Sequence, residues 1–155
     1  MSDELTYAWR APLTDDEMVD LVHSHGGRPV AGWWDTIRPH SLGRVTARTD
    51  DGTVVGFVNV AWDGGDHAFL IDTKTRREYQ HRGIGTSVVQ MAASCAKAAG
   101  CAWLHVDFEP ELMPFYFDAC GFRSTDAGLI HLQSDGLRET AVGEEREFMA
   151  AFRRE

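Results

Sequence analysis

The chain has 155 residues, 43% of them hydrophobic and 25% charged, with a formal net charge of −9. That size and balance describe one soluble globular domain whose core needs no metal or disulfide staple. The acidic excess excludes a phosphate-neutralising nucleic-acid binder, and no apolar run approaches the roughly 18 residues a membrane span needs. The start, Met1-Ser2-Asp3-Glu4, lacks the basic and apolar regions of a secretory signal, so a cytoplasmic location is expected. Cys95, Cys101 and Cys120 form no CxxC pair, which argues against a disulfide framework and against a zinc site; no metal is expected.

Residues 5–10 read as a short strand. Thr14-Asp15-Asp16-Glu17 is a capping box that opens a helix with Met18, Leu21 and Val22 on one face, and Gly26-Gly27 ends it. A second short helix is expected over 32–37, closed near Pro39. Strands over 43–49 and 54–62 flank the turn sequence Asp50-Asp51-Gly52-Thr53. After Gly64-Gly65, residues 67–75 are dense in apolar and β-branched side chains, as a central strand is. Ile84, Val88, Met91, Ala92 and Cys95 recur at helical spacing over 84–99, and Gly100 is the stop. Residues 102–108 alternate, with Leu104, Val106 and Phe108 on one face and Trp103, His105 and Asp107 on the other. A helix over 111–119 with a distortion at Pro114, a strand–turn–strand over 122–132 and a terminal helix over 143–152 complete the reading. This order predicts a mixed, mostly antiparallel α/β sheet with helices on both faces. One strand–helix–strand unit sets 67–75 parallel to 102–108.

The segment Arg76-Arg77-Glu78-Tyr79-Gln80-His81-Arg82-Gly83-Ile84-Gly85-Thr86 reverses the chain's acidic character where a strand turns into a helix. Glycine lets backbone approach a ligand, and the free amides of a helix start attract phosphate. A Walker loop needs a lysine that Gly83-Ile84-Gly85-Thr86 lacks. A dinucleotide fingerprint needs glycine where Val88 stands, although Asp107 lies at about the distance of its ribose carboxylate.

Gln80-His81-Arg82-Gly83-Ile84-Gly85 resembles the Q/R-x-x-G-x-G/A motif of the GNAT superfamily of N-acetyltransferases, and Phe115-Tyr116-Phe117-Asp118-Ala119-Cys120-Gly121-Phe122 resembles that family's late Tyr…Gly-Phe motif. The resemblance is specific over about 54–132 and topological over 5–53. It implies a single GNAT domain over 1–155, with a core fold at 5–133 and a C-terminal extension at 134–155. It implies that amides of His81, Arg82, Gly83, Ile84, Gly85 and Thr86, with Gln80, hold the pyrophosphate of acetyl-CoA. It implies a bulged strand near Thr73, Lys74 and Thr75 whose backbone meets the pantetheine arm. The family's Val-x-Pro at that place is Thr75-Arg76-Arg77 here.

Direct transfer to a primary amine is the implied reaction, with a Tyr hydroxyl protonating the departing thiolate. Tyr116 is the candidate, but it stands five residues before Gly121; the family's Tyr commonly stands four before, where this chain has Phe117. Core packing is the alternative for Tyr116. Candidates to deprotonate the amine are Asp72, a carboxylate in an apolar strand, together with His105, Asp107 and Glu109. Asp72 has a structural hydrogen-bonding role as its alternative. The family's acceptor cleft borders the first helices, which carry Trp33-Trp34-Asp35. Those residues suit a cationic amine, or else anchor the short helix in the core. The resulting expectation is acetyl transfer from acetyl-CoA to a small cationic amine by an enzyme that some relatives suggest is a homodimer. The alternatives are a non-catalytic acyl-CoA sensor, a transferase for a peptide or protein amine, and an unrelated fold.

Overall fold

The computed structural model describes residues 4–133. The chain divides into two units, 1–122 and 123–155. In chain order the first unit carries β1 (Thr6–Trp9), α1 (Asp15–His25), α2 (Trp33–Ile37), β2 (Ser41–Arg48), β3 (Val54–Trp62), β4 (His67–Thr75), α3 (Ile84–Ala98) and β5 (Trp103–His105). Among the described residues the strands form one sheet in the order β1-β2-β3-β4-β5, antiparallel except for the parallel pair β4–β5.

The local signals explain most boundaries. Thr14 caps α1: its hydroxyl accepts from the Glu17 amide, and the Glu17 carboxylate accepts from the Thr14 amide at 2.8 Å. Gly26 closes α1 in the left-handed region at φ 102°. The two faces of the sheet carry separate cores. On one, Val45, Val58, Val60, Ala68 and Leu70 pack with Ile84, Val88 and Ala92 of α3. On the other, Val54 and Phe57 pack with Met18, Leu21 and Trp34 of α1 and α2. Gly56 lets α3 come close, since a Cβ there would stand 2.5 Å from Ile84 Cγ2.

Three expectations are corrected. The strand expected over 102–108 pairs only at Trp103–His105, because the ladder with β4 ends at Phe69 opposite His105. The alternation continues without a ladder: Val106 and Phe108 are half-buried, Asp107 is exposed. The helix expected over 111–119 is a 3-10 turn at Pro110–Leu112 followed by a π-helical turn at Pro114–Ala119. In the second unit, residues 123–133 form no strand; Leu129, Ile130 and Leu132 are 70–82% exposed, and an apolar run without a ladder partner gains nothing from extended geometry. The helix expected over 143–152 lies outside the described residues. No helix among the described residues is long and apolar enough to cross a membrane.

Candidate active site

The site is organised by two one-residue irregularities. The first is in β4. Phe57 pairs with Lys74 and Asn59 with Ile71, so two β4 residues, Asp72 and Thr73, oppose one β3 residue, Val58. This is a β-bulge, and Asp72 sits in it at φ 60°. Aspartate tolerates that left-handed conformation better than most side chains.

The bulge changes which face each later side chain meets. Ala68 and Leu70 point into the α3 core. Strict alternation would send Asp72 and Lys74 after them, burying a carboxylate and an ammonium among valines. The extra residue reverses the order. Asp72 and Lys74 instead line a cavity of about 210 Å³ on the α1–α2 side, where Asp15, Arg28 and Trp33 also border it. Asp72 and Lys74 pair at 3.5 Å, partly exposed. Thr73 and Thr75 take the α3 side, Thr73 within reach of Tyr116 and Thr75 opposite Gly56.

The second irregularity is the π-helical turn. The Cys120 amide donates to the Phe115 carbonyl, an i→i+5 bond, at 2.9 Å. The Phe122 amide then closes on the Tyr116 carbonyl at 2.9 Å. A π turn holds one residue more than an α turn. That extra residue accounts for Tyr116 standing five places before Gly121. Tyr116 is 6% exposed, stacked on Phe108 at 4.5 Å and edge-on to Phe115 and Phe122. Its hydroxyl donates to Thr73 Oγ1 at 3.3 Å, at the bulge. Phe117 instead packs edge-on against Phe108. Burial pushes the Tyr116 hydroxyl above its ordinary pKa, against the Thr73 hydrogen bond; Cys120 and Asp107 push the same way as burial. Tyr116 is thus both the core aromatic and the hydroxyl at the bulge.

Beyond Phe69 and His105, β4 runs on to Thr75 without a β5 partner. The loop after it is held by one of its own side chains and by one from α1. Gln80 Nε2 donates to the Thr75 carbonyl at 3.3 Å, and His25 Nδ1 lies 2.9 Å from the same oxygen. His81 and Gly83 both take positive φ, 61° and 81°, so the loop turns twice before α3 starts. Gly83 is the N-cap of α3, with no side-chain cap and no acid in the first turn. Nothing stands within 4 Å of where a Gly83 Cβ would be. The amides of Ile84, Gly85 and Thr86 thus open a helix end suited to an anion. The residues present fit the pyrophosphate of an acyl-CoA. Of the four nearby basic side chains, Arg76 is taken by the Asp20 carboxylate and the Val54 carbonyl. The guanidinium of Arg77 leans on Gly26 at the end of α1. Arg82, over the Tyr79 ring at 4.9 Å, and exposed His81 remain beside the loop.

The other expected site residues separate. Trp33 lines the cavity. Trp34 is fully buried, its indole N–H donating to the Leu13 carbonyl at 3.1 Å and its ring edge-on to Phe57, so it anchors α2 in the core. Asp35 is exposed and pairs with Arg38 at 3.3 Å, away from the cavity lining. His105 Nε2 lies 2.7 Å from His67 Nδ1, with Phe69 stacked on the ring. Asp107 is exposed near enough to act on Tyr116, and Glu109 is an exposed cap of the 3-10 turn. Burial raises the Cys120 pKa, which keeps it a thiol and no nucleophile. Sequence reasoning missed Asp15 and Arg28. Asp15 stood only inside the capping-box sequence, yet its carboxylate accepts from the Gly32 amide at 2.6 Å and the Trp34 amide at 2.9 Å, fixing α2 beside the cavity.

The family profile described as Acetyltransferase (GNAT) family matches residues 5–122. No curated protein matches the chain. Among solved structures, SA2161 of meticillin-resistant Staphylococcus aureus, a protein of unknown function, is 18% identical with a TM-score of 0.71, covering 84% of this chain and 100% of its own. YhbS of Escherichia coli, a GNAT family N-acetyltransferase solved with CoA, is 15% identical with a TM-score of 0.65, covering 79% and 71%. Glucosamine-6-phosphate N-acetyltransferase of Arabidopsis thaliana is 16% identical with a TM-score of 0.64, covering 83% and 99%. At these identities the neighbours speak for the fold. The profile match spans most of the chain, from β1 to the last residue of the aromatic motif, and on that ground the chain belongs to the GNAT acetyltransferase family.

Proposed function

We propose that the protein is an N-acetyltransferase that moves the acetyl group of acetyl-CoA directly to a small primary amine. The observation that carries this reading is the Tyr116 hydroxyl at the β4 bulge, with the amine-sized cavity opening on the bulge's other side. The open first turn of α3 supports a pyrophosphate at Gly83–Thr86, and YhbS was solved with CoA. Residues 70–75 of β4, paired with β3 but not with β5, offer backbone groups on their β5 side for the pantetheine arm.

The acceptor nitrogen must be neutral to attack. Its lone pair forms the C–N bond at the thioester carbonyl, the C–S bond breaks, and the electron pair leaves on sulfur. Tyr116 gives its proton to that thiolate and recovers one from solvent; the proton lost by the nitrogen leaves through the open cavity. Asp72 faces the cavity and draws the amine toward the bulge. The cavity is smaller than the roughly 300–1,000 Å³ of sites for drug-sized ligands, which favours a small acceptor over a polypeptide. The π turn supports reading Tyr116 rather than Phe117 as the acid, which favours the enzyme over a non-catalytic sensor.

The test is thiol release from acetyl-CoA over a panel of small amines, beside calorimetric titration with acetyl-CoA. Saturable CoA binding with amine-dependent thiol release is expected, and Gly83→Glu, folded by its melting curve, loses both. Binding without release from any amine leaves a sensor; no binding by the folded wild type removes the reading.

A further inference from the structure

The cavity beside the bulge carries a charge pattern that a simple cationic acceptor does not explain. Four charged side chains border it: Asp15, Asp72, Lys74 and Arg28. Lys74 Nζ lies 3.5 Å from Asp72 Oδ1, which pairs those two charges but leaves Asp72 Oδ2 without a partner among the described residues. A third is consumed by backbone. Both Asp15 oxygens accept amides at the start of α2, from Gly32 and Trp34. Arg28 is different. It follows α1 on an exposed loop, and among the described residues no carboxylate pairs with it. Among the described residues Arg28 is therefore the one charged side chain at the cavity with neither an ion pair nor a hydrogen bond.

A guanidinium presents a fork of donors that matches a carboxylate or a phosphate. An acceptor with a positive end only would face Asp72 at one side and an uncompensated Arg28 at the other. An acceptor with both an amine and an anion would meet a partner for each. We propose that the acceptor is a small amine bearing its own anionic group, a carboxylate or a phosphate, and that Arg28 holds this anion while the amine faces Asp72. Arg28 is then a specificity-determining residue. The proposal rests on the transferase reading for the identity of the ligand as an acceptor, but not for its binding.

The test uses matched pairs on the full chain. Ethanolamine is compared with O-phosphoethanolamine, and propylamine with β-alanine, which separates phosphate from carboxylate. Binding in the presence of CoA is read by calorimetry, and turnover by thiol release from acetyl-CoA. The anionic member of at least one pair should bind at least about tenfold tighter, as a charge-assisted hydrogen bond allows. Arg28→Glu, an exposed loop change, should abolish that preference and leave acetyl-CoA binding unaltered. Anion-selective, Arg28-dependent binding without thiol release upholds the site and refutes the transferase reading. Thiol release from ethanolamine and propylamine at equal or better efficiency than from their anionic partners, or a preference that survives Arg28→Glu, refutes the proposal and leaves the transferase. Failure of every probe to bind beside CoA refutes the proposal also.

Discussion

Tyr116 does two jobs that pull its chemistry in one direction. Its ring fills the core against Phe108, Phe115 and Phe122, and its hydroxyl reaches Thr73 at the bulge. Burial disfavours the tyrosinate, so the hydroxyl keeps its proton past the ordinary tyrosine value near 10. A raised folded-state value has a definite sign. The folded protein binds the proton more tightly than the unfolded chain, so stability from this group is complete below about pH 10 and falls as the pH climbs beyond it. In catalysis the same shift means that Tyr116 should not turn activity down below about pH 10. The pH profile of kcat/KM should rise with deprotonation of the acceptor amine and show no earlier falling limb. Tyr116→Phe should lower kcat by roughly 10- to 100-fold, at the low end of proton-transfer effects because a thiolate leaves easily. It should lower stability by only about 1 kcal/mol, the value of one hydrogen bond. A kcat within twofold of wild type would remove Tyr116 as the acid. Asp72→Asn isolates charge from shape at the neighbouring position, because asparagine also tolerates positive φ. It should change melting temperature little and raise the KM of the amine; Asp72→Val should unfold more readily, by about 1–2 kcal/mol for the backbone conformation alone. If Asp72→Asn leaves the amine KM untouched, the carboxylate serves the Lys74 pair and nothing more.

At the scale of elements, periodicity explains both what the sequence reveals and what it hides. The bounds of β3 and β4 were readable because Val54–Trp62 and His67–Thr75 are apolar and β-branched between glycine-rich turns. The α1 boundaries were readable from Thr14, Glu17 and Gly26, each a local signal with a local cause. The Gly83 loop was readable because its reversed charge and glycines are contiguous in sequence. The length of β5 was not, since Val106 and Phe108 alternate correctly but a ladder requires a partner, and β4 parts from β5 after Phe69. The π turn was not readable either: no side-chain pattern distinguishes an i→i+5 turn from an α turn over six residues. Asp72 did advertise itself, as a carboxylate in an apolar strand. Only the bulge explains how it escapes the core. Arg28 and Trp33 come together through tertiary folding that no local period encodes. The turn geometry makes a sharp expectation. Exchanging Tyr116→Phe and Phe117→Tyr in one chain moves the hydroxyl one place, off the residue that meets Thr73. This double variant should be as slow as Tyr116→Phe alone; recovery of wild-type kcat would show that the turn relaxes to an α register. Gly56→Val should cost about 1–3 kcal/mol by overpacking against Ile84, measured as a lower denaturation midpoint at unchanged slope.

Over the first unit, α1 connects the two halves of the site. Its one side forms the cavity through Asp15, Met18, Val19 and Val22. Its C-terminal half grips the end of β4 and the loop behind it. Arg76 pairs with Asp20 and donates to the Val54 carbonyl, Ser24 donates to Glu78, and His25 meets the Thr75 carbonyl. The loop before α3 and the cavity therefore share one helix. Arg76→Ala removes the ion pair with Asp20 and leaves the Val54 carbonyl without its guanidinium. It should lower stability by about 1–2 kcal/mol and raise the KM for acetyl-CoA and for the amine together. A rise confined to one substrate would mean that the two halves are held independently.

The bulge and the π turn each insert one residue out of step, and they meet at the contact between Thr73 and Tyr116. They behave as two offsets set against each other, so the spacing of the motif and the shape of the turn should vary together. A relative with tyrosine four places before the glycine should carry an ordinary α turn there, and one with five should carry the wider turn. Position in an alignment column would then mislead, pairing Phe117 of this chain with a catalytic tyrosine elsewhere. The hydroxyl would be conserved in space while its address in the sequence moves by one.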